Sequence, residues 1–148
     1  MDVVTLRWGG KRQFVSWDKD GHSIIMDASS EYKGEGTGIR PLQVFLQGLA
    51  GCTGMDVISI LEKKRQDVRA LEIDVEADQR TDEYPKIYTD IRLHFRVTGF
   101  RVKSVAVARS IELSEEKYCS VGGMLGPQTT VHTSYEIIEA DPGSTGDE

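Results

Sequence analysis

An α+β domain with a mainly antiparallel sheet and one long central helix is what the sequence predicts, and three observations predict it. Short β-rich runs separated by turn signals fill the first third of the chain. An apolar-rich stretch from Leu42 to Leu61 opens on Pro41, and two segments of strict polar–apolar alternation follow it. The implied order is βββ-α-ββ-αα-β, with helices on one side of the sheet. At 148 residues the chain is long enough for one core and too short for two. A single domain is therefore expected over residues 1–140, and the polar run 141–148 is expected to be a disordered C-terminal tail.

Each element has a local reason. Val3 to Trp8 is β-rich and stops at Gly9-Gly10, a turn signal; Gln13 to Trp17 resumes the pattern until Asp20-Gly21, which favours a hairpin, and His22 to Met26 is the third strand. Ser29 to Pro41 turns to Gly, Ser and charge and reads as a long exposed loop, with Gly34 to Gly38 flexible. Proline suits the first turn of a helix, where it has no N–H to lose. Leu42, Phe45, Leu46, Leu49, Val57, Ile58, Ile60 and Leu61 cover nearly the whole helical circumference, which predicts a helix buried along most of its length and ending in the basic run after Glu62. Leu71, Ile73, Val75 and Ala77 alternate with Glu72, Asp74, Glu76 and Asp78. The next strand alternates Ile87 to Val97 with Arg92, His94 and Arg96, so the acids of one strand can face the bases of the other. Lys103 to Leu113 is a short amphipathic helix, Ser114 is placed to cap another that carries Tyr118, Val121 and Leu125, and Thr129 to Ala140 is the last strand.

Charge narrows the function. With 18 basic and 24 acidic residues the net charge is −6, and no basic cluster interrupts the acidity, which argues against nucleic acid and anionic membrane surfaces as partners. The first ten residues lack the basic and apolar regions of a signal peptide, and the apolar stretch is interrupted by Gln43, Gln47, Asp56 and glycines, so it reads as a core helix rather than a membrane span. The compartment expected is the cytoplasm, where thiols stay reduced. Two cysteines there are either inert core residues or working thiols.

Cys52 lies within Gly48-Leu49-Ala50-Gly51-Cys52-Thr53-Gly54. Each glycine inside a helix costs about 1 kcal/mol relative to alanine, so the trio needs a compensating gain. One gain is close approach of another helix or a substrate beside the thiol. The other reading breaks the helix, with Thr53 an N-cap and Asp56 three residues on, leaving Cys52 at a helix N-terminus that would lower its pKa. The residues alone leave both open. Cys119, on a helix beside Tyr118, has no local motif with Cys52, sixty-seven positions away.

The run Pro41-Leu42-Gln43-Val44-Phe45-Leu46-Gln47-Gly48-Leu49-Ala50-Gly51-Cys52-Thr53-Gly54-Met55-Asp56-Val57 resembles the first cysteine motif of the OsmC/Ohr family, the osmotically inducible and organic hydroperoxide resistance proteins. Glu116-Lys117-Tyr118-Cys119-Ser120-Val121 resembles the second. The resemblance covers nearly the whole chain and is closest to the "redox protein" branch. It implies an intertwined homodimer with paired central helices and active sites at the dimer interface. It also implies thiol-dependent reduction of organic hydroperoxides: Cys52 would attack the peroxide and become a sulfenic acid, Cys119 would condense with it into a disulfide, and an external dithiol would reduce that bond. No cofactor is implied. In the family's peroxidases an arginine of the N-terminal hairpin, held by a glutamate near the start of the central helix, activates the thiolate. Here the acidic position reads Leu42-Gln43, and Arg7, Lys11, Arg12 and Arg40 stand in no recognisable family motif. The rival readings keep the fold: a non-catalytic dimer that holds a small apolar ligand, or a redox sensor oxidised once without turnover.

Other features are weaker. His22, His94 and His132 have no metal-ligand spacing, and no metal site is expected. Gly34-Glu35-Gly36-Thr37-Gly38 lacks the strand-to-helix context of a phosphate loop. Tyr32 could cover a thiol pocket or be an ordinary exposed aromatic.

Overall fold

A computed structural model of the chain describes residues 1–141; the predicted tail, 141–148, lies outside the described residues from 142 onward. The element order is β1 (Val4–Trp8), β2 (Phe14–Asp18), β3 (Ser23–Met26), α1 (Pro41–Lys63), β4 (Asp67–Gln79), β5 (Tyr88–Phe100), α2 (Ser104–Leu113), a π-helical turn (Ser114–Tyr118), α3 (Ser120–Gly123) and β6 (Thr130–Glu139). The βββ-α-ββ-αα-β order holds. Two compact units divide the chain, residues 1–47 and residues 48–148.

The first unit carries a three-stranded antiparallel meander, β1-β2-β3. Asp18 closes the second hairpin: its Oδ1 accepts the N–H groups of Asp20 (2.9 Å) and His22 (3.0 Å), and its Oδ2 lies 2.8 Å from His22 Nδ1. That hydrogen bond holds the Asp18 carboxyl below the usual carboxylate range. The glycine-containing loop after β3 is held rather than loose. Asp27, 3% exposed, accepts hydrogen bonds from the Thr37 hydroxyl (2.6 Å) and from the N–H groups of Thr37 (3.1 Å), Ala28 (2.7 Å) and Glu35 (3.3 Å). Gly34 is needed because a Cβ there would lie 1.9 Å from the Ala28 carbonyl oxygen.

These donors, the Thr37 hydroxyl first, lower the Asp27 pKa to about 2. A carboxyl whose folded value lies below its unfolded value of about 3.9 lends stability that is complete above that value and is lost as pH falls through the folded one. We expect the Asp27 carboxyl carbon, followed by NMR, to titrate near pH 2 and the loop to loosen only below pH 4. Titration at the value of a free aspartate would contradict the bonding described.

The second unit contains a sheet in the order β4-β5-β6. β4 and β5 pair antiparallel with Glu72 opposite Arg96, Asp74 opposite His94 and Glu76 opposite Arg92, as the alternation predicts. Arg92 reaches Asp78 at 2.7 Å, and Arg96 reaches Glu72 at 2.7 Å and also pairs with Asp74. β6 runs parallel to β5, a direction that no feature of its sequence declares. The core consists of Ile91, Leu93, Phe95 and Val97 from β5, Val107 and Ile111 from α2, and the α1 stripe Leu49, Val57, Ile60 and Leu61.

Helix α1 runs unbroken from Pro41 to Lys63, which decides between the two readings of its glycine-rich middle: Thr53 is not an N-cap. It departs from expectation in its burial, which follows one stripe only, Leu49, Thr53, Val57, Ile60 and Leu61, while Leu42 is 41% and Met55 76% exposed. By length and composition α1 could cross a membrane, and 22% of its most apolar window is buried. The other side of its second-unit portion is open. Ala50, Gly51, Met55 and Ile58 line, with Leu71 and Ile73 of β4, an apolar groove of about 860 Å³. A Cβ added at Gly48 or Gly51 would meet nothing within 4 Å, whereas one at Gly54 would lie 3.0 Å from Ile73 Cδ1. Close approach within the chain thus explains Gly54 alone.

Candidate active site

The two cysteines meet in the second unit. α1 presents Cys52, half-buried; the segment after α2 presents Cys119, 7% exposed. Both are free thiols. What brings Cys119 back to α1 is the π-helical turn. α2 is prolonged through Ser114 to Tyr118, and the Cys119 N–H closes a wide turn onto the Ser114 carbonyl at 2.8 Å. Ser114, fully buried, donates its hydroxyl to Asp56 Oδ2 at 2.8 Å. Asp56 follows Cys52 by one helical turn, so this bond ties the Cys119 segment to the face of α1 that bears the other thiol.

Ser114 therefore does not cap a new helix, as its position before Glu115-Glu116 suggests; its backbone is helical and continues α2. The cap belongs to Cys119, whose backbone is extended and whose sulfur accepts the Gly122 N–H at 3.3 Å.

The Cys119 sulfur opens on a cavity of about 130 Å³ whose walls include Leu49, Thr53, Leu93, Glu115, Gly122 and Val131. Burial is the largest influence on the thiol and pushes its pKa up. Hydrogen bonds from the Thr53 hydroxyl, 3.4 Å away, and from Gly122 oppose the rise, and Cys52 adds to it by hydrogen bonding and charge. Glu115, which lines the same cavity, is also pushed up, by desolvation first and by Glu116, against the effect of the Thr133 hydroxyl at 3.5 Å. No Lys or Arg is among the residues lining this cavity.

The basic residues weighed as activators belong to the first unit. Arg7 stacks over Trp17 at 5.4 Å, Lys11 pairs with Glu35, and Arg12 lines an apolar pocket of about 400 Å³ with Leu6, Phe14 and Met26. Gln43 is exposed. The three histidines go separate ways: His94 bonds Ser134 at 2.7 Å, His132 bonds Asp90 at 2.9 Å, and His22 bonds Asp18. Asp18, Asp20 and His22 bring ligand atoms within 4.8 Å of one another on an exposed turn that includes neither cysteine. Sequence reasoning singled out both thiols but missed Glu115, the Asp56–Ser114 bond and the meeting of Thr53 with Cys119; only the i, i+4 spacing of Cys52 and Asp56 hinted at any of them.

The arrangement suits two-thiol chemistry. Cys52 is the less buried of the two cysteines, and Cys119 is a sheltered thiol whose pKa burial raises. Comparisons with known proteins agree in fold. Residues 34–134 match the family model for OsmC-like proteins. A protein named YhfA from Escherichia coli K12 is 40% identical over 135 residues, covering 91% of this chain and 97% of its own. The crystal structure of a hypothetical protein from Aquifex aeolicus VF5 superposes with a TM-score of 0.83 at 31% identity, over 95% of this chain and 98% of that one. An organic hydroperoxide resistance protein OsmC from Legionella pneumophila shares the fold with a TM-score of 0.69 at 16% identity, over 93% and 96% of the two chains.

Proposed function

Because the chain belongs to the OsmC-like protein family, we propose that it reduces organic hydroperoxides with the thiols of Cys52 and Cys119. The observation that carries the reading is that the Cys119 segment is seated on α1 next to Cys52: its sulfur lies 3.4 Å from the hydroxyl of Thr53, the residue after Cys52, and Ser114 is bonded to Asp56 one turn further on. Its exposure makes Cys52 the first nucleophile. Its thiolate attacks the outer oxygen of the peroxide, the O–O bond breaks, and the alkoxide takes a proton and leaves as an alcohol, so that Cys52 becomes a sulfenic acid. Cys119 is raised and stays protonated until called on. Its sulfur then attacks Cys52, the S–O bond breaks, water leaves, and a disulfide remains. An external dithiol returns the pair to the starting state by exchange.

The active form we propose is a homodimer. Gly48 and Gly51 have room on their faces for another chain, and the apolar groove along α1 and β4 is the kind of surface two copies of the protein would cover. A reducing compartment, the cytoplasm, suits thiols that must be regenerated.

The test is one equivalent of cumene hydroperoxide added to reduced protein, with intact-mass and peptide mass spectrometry, on material whose solution mass is expected at two chains. A Cys52–Cys119 disulfide should form, and the Cys52→Ser variant should form none. Both thiols intact in the wild type would reject the peroxidase and favour a binding protein. One rapid oxidation without dithiol-driven turnover would favour a sensor.

A further inference from the structure

Thr53 is 2% exposed in the middle of α1, where its one hydroxyl proton has two acceptors within reach. The Leu49 carbonyl lies 3.1 Å away, the usual partner of a helical threonine four residues on, and the Cys119 sulfur lies 3.4 Å away on the other side. The same sulfur receives the Gly122 N–H at 3.3 Å. Around it the cavity is walled by Leu49, Leu93 and Val131, so these two donors stand in for water.

With both acceptors in reach, the Thr53 proton can lie on the Leu49 carbonyl while Cys119 is a thiol, which leaves the threonine oxygen free to accept the S–H. Once Cys119 is a thiolate, rotation about the threonine C–O bond turns the proton onto the sulfur. A hydrogen bond to a charged acceptor is about twice as strong as one between neutral groups, so the swing is favoured only in the ionised state.

We infer that the Thr53 hydroxyl is a catalytic group of this site, a rotor that leaves the Leu49 carbonyl to stabilise the Cys119 thiolate as it attacks Cys52. The inference rests on the thiol reading above for its purpose, but the rotor itself can be tested without peroxide. The titratable groups that face the sulfur are Cys52 from α1 and Glu115 from the π-helical turn; β5 and β6 present only Leu93 and Val131.

The experiment uses the Cys52→Ser chain, in which Cys119 is the sole thiol, and follows its alkylation by iodoacetamide across pH by mass spectrometry. Adding Thr53→Val, which keeps the shape and removes the donor, should move the pH profile upward and slow alkylation at pH 7 about tenfold. Thr53→Ser, which keeps the donor, should stay within about twofold of the parent. A change of access alone would alter the plateau at high pH and leave the midpoint in place. If the Thr53→Val profile is unmoved or shifts to lower pH, the rotor is wrong. Should the valine variant fail to fold by circular dichroism, Thr53→Ala removes the same donor and is read by the same criteria. Failure of the peroxidase reading shows separately, as wild-type protein that forms no disulfide with cumene hydroperoxide.

Discussion

Phe95→Ala should destabilise the second unit by about 3–5 kcal/mol, the typical penalty for deleting a buried aromatic ring. Phe95 is fully buried on β5, the central strand, opposite Ile73 of β4 and Tyr135 of β6. Its removal leaves a void that neighbours on two strands cannot all close, because moving them would break the ladder on both sides. Against a total stability of about 5–15 kcal/mol for an ordinary domain, such a loss brings the unfolded form within reach at room temperature. The measurement needs two probes. Both tryptophans, Trp8 and Trp17, lie in the first unit, while the second contains α2 and most of α1, which dominate far-ultraviolet circular dichroism. Urea unfolding should show the dichroism midpoint falling steeply, and the fluorescence reports whether residues 1–47 unfold with it. A control at Glu76, 77% exposed at its side chain, should scarcely move either curve. A Phe95→Ala midpoint indistinguishable from wild type would mean that the core does not close on β5.

The same strand shows what was readable beforehand. A period of two over Ile87 to Val97 fixes which residues face inward, because a slip of one residue would put Arg92 and Arg96 in the core. The acidic face of β4 pairs with those arginines for the same reason. Pro41 opens α1 as its missing N–H predicts. Other features depend on contacts that no local pattern encodes. Burial of α1 was overestimated because an apolar circumference says what needs covering, not what covers it; within the chain only one stripe is closed. The π-helical turn depends on the buried bond between Ser114 and Asp56, fifty-eight positions apart. Read locally, Ser114 before two glutamates is a cap, and the tertiary bond overrides that preference. Thr53 has the same lesson: its neighbours in sequence left a cap and a helix interior equally open, and its neighbours in space, the Leu49 carbonyl and a sulfur, decide for the interior. Both cysteines were legible because the resemblance covered their surroundings. The cation that would activate Cys52 was not, since Arg7, Lys11 and Arg12 each have partners of their own in the first unit.

Cys119→Ser should separate the two halves of the proposed reaction. Cys52, half-buried on α1, keeps its access to peroxide in this variant, so the first oxidation should proceed at close to the wild-type rate. The sulfenic acid then has no neighbouring thiol to condense with. A sulfur held beside its target acts at an effective concentration far above that of any dithiol in solution, so sustained turnover of cumene hydroperoxide should fall by at least about a hundredfold. The stalled intermediate should be trapped by dimedone at Cys52, and excess peroxide should drive it on to the irreversible sulfinic acid, a product that wild type avoids by closing the disulfide. Thr53 makes the comparison sharper. With Thr53→Val the same intermediate should accumulate transiently, because Cys119 is present but lacks its hydroxyl donor, and raising the pH should restore resolution there but not in Cys119→Ser. Equal turnover in wild type and Cys119→Ser would remove Cys119 from the reaction and leave Cys52 to be reduced directly by the external thiol.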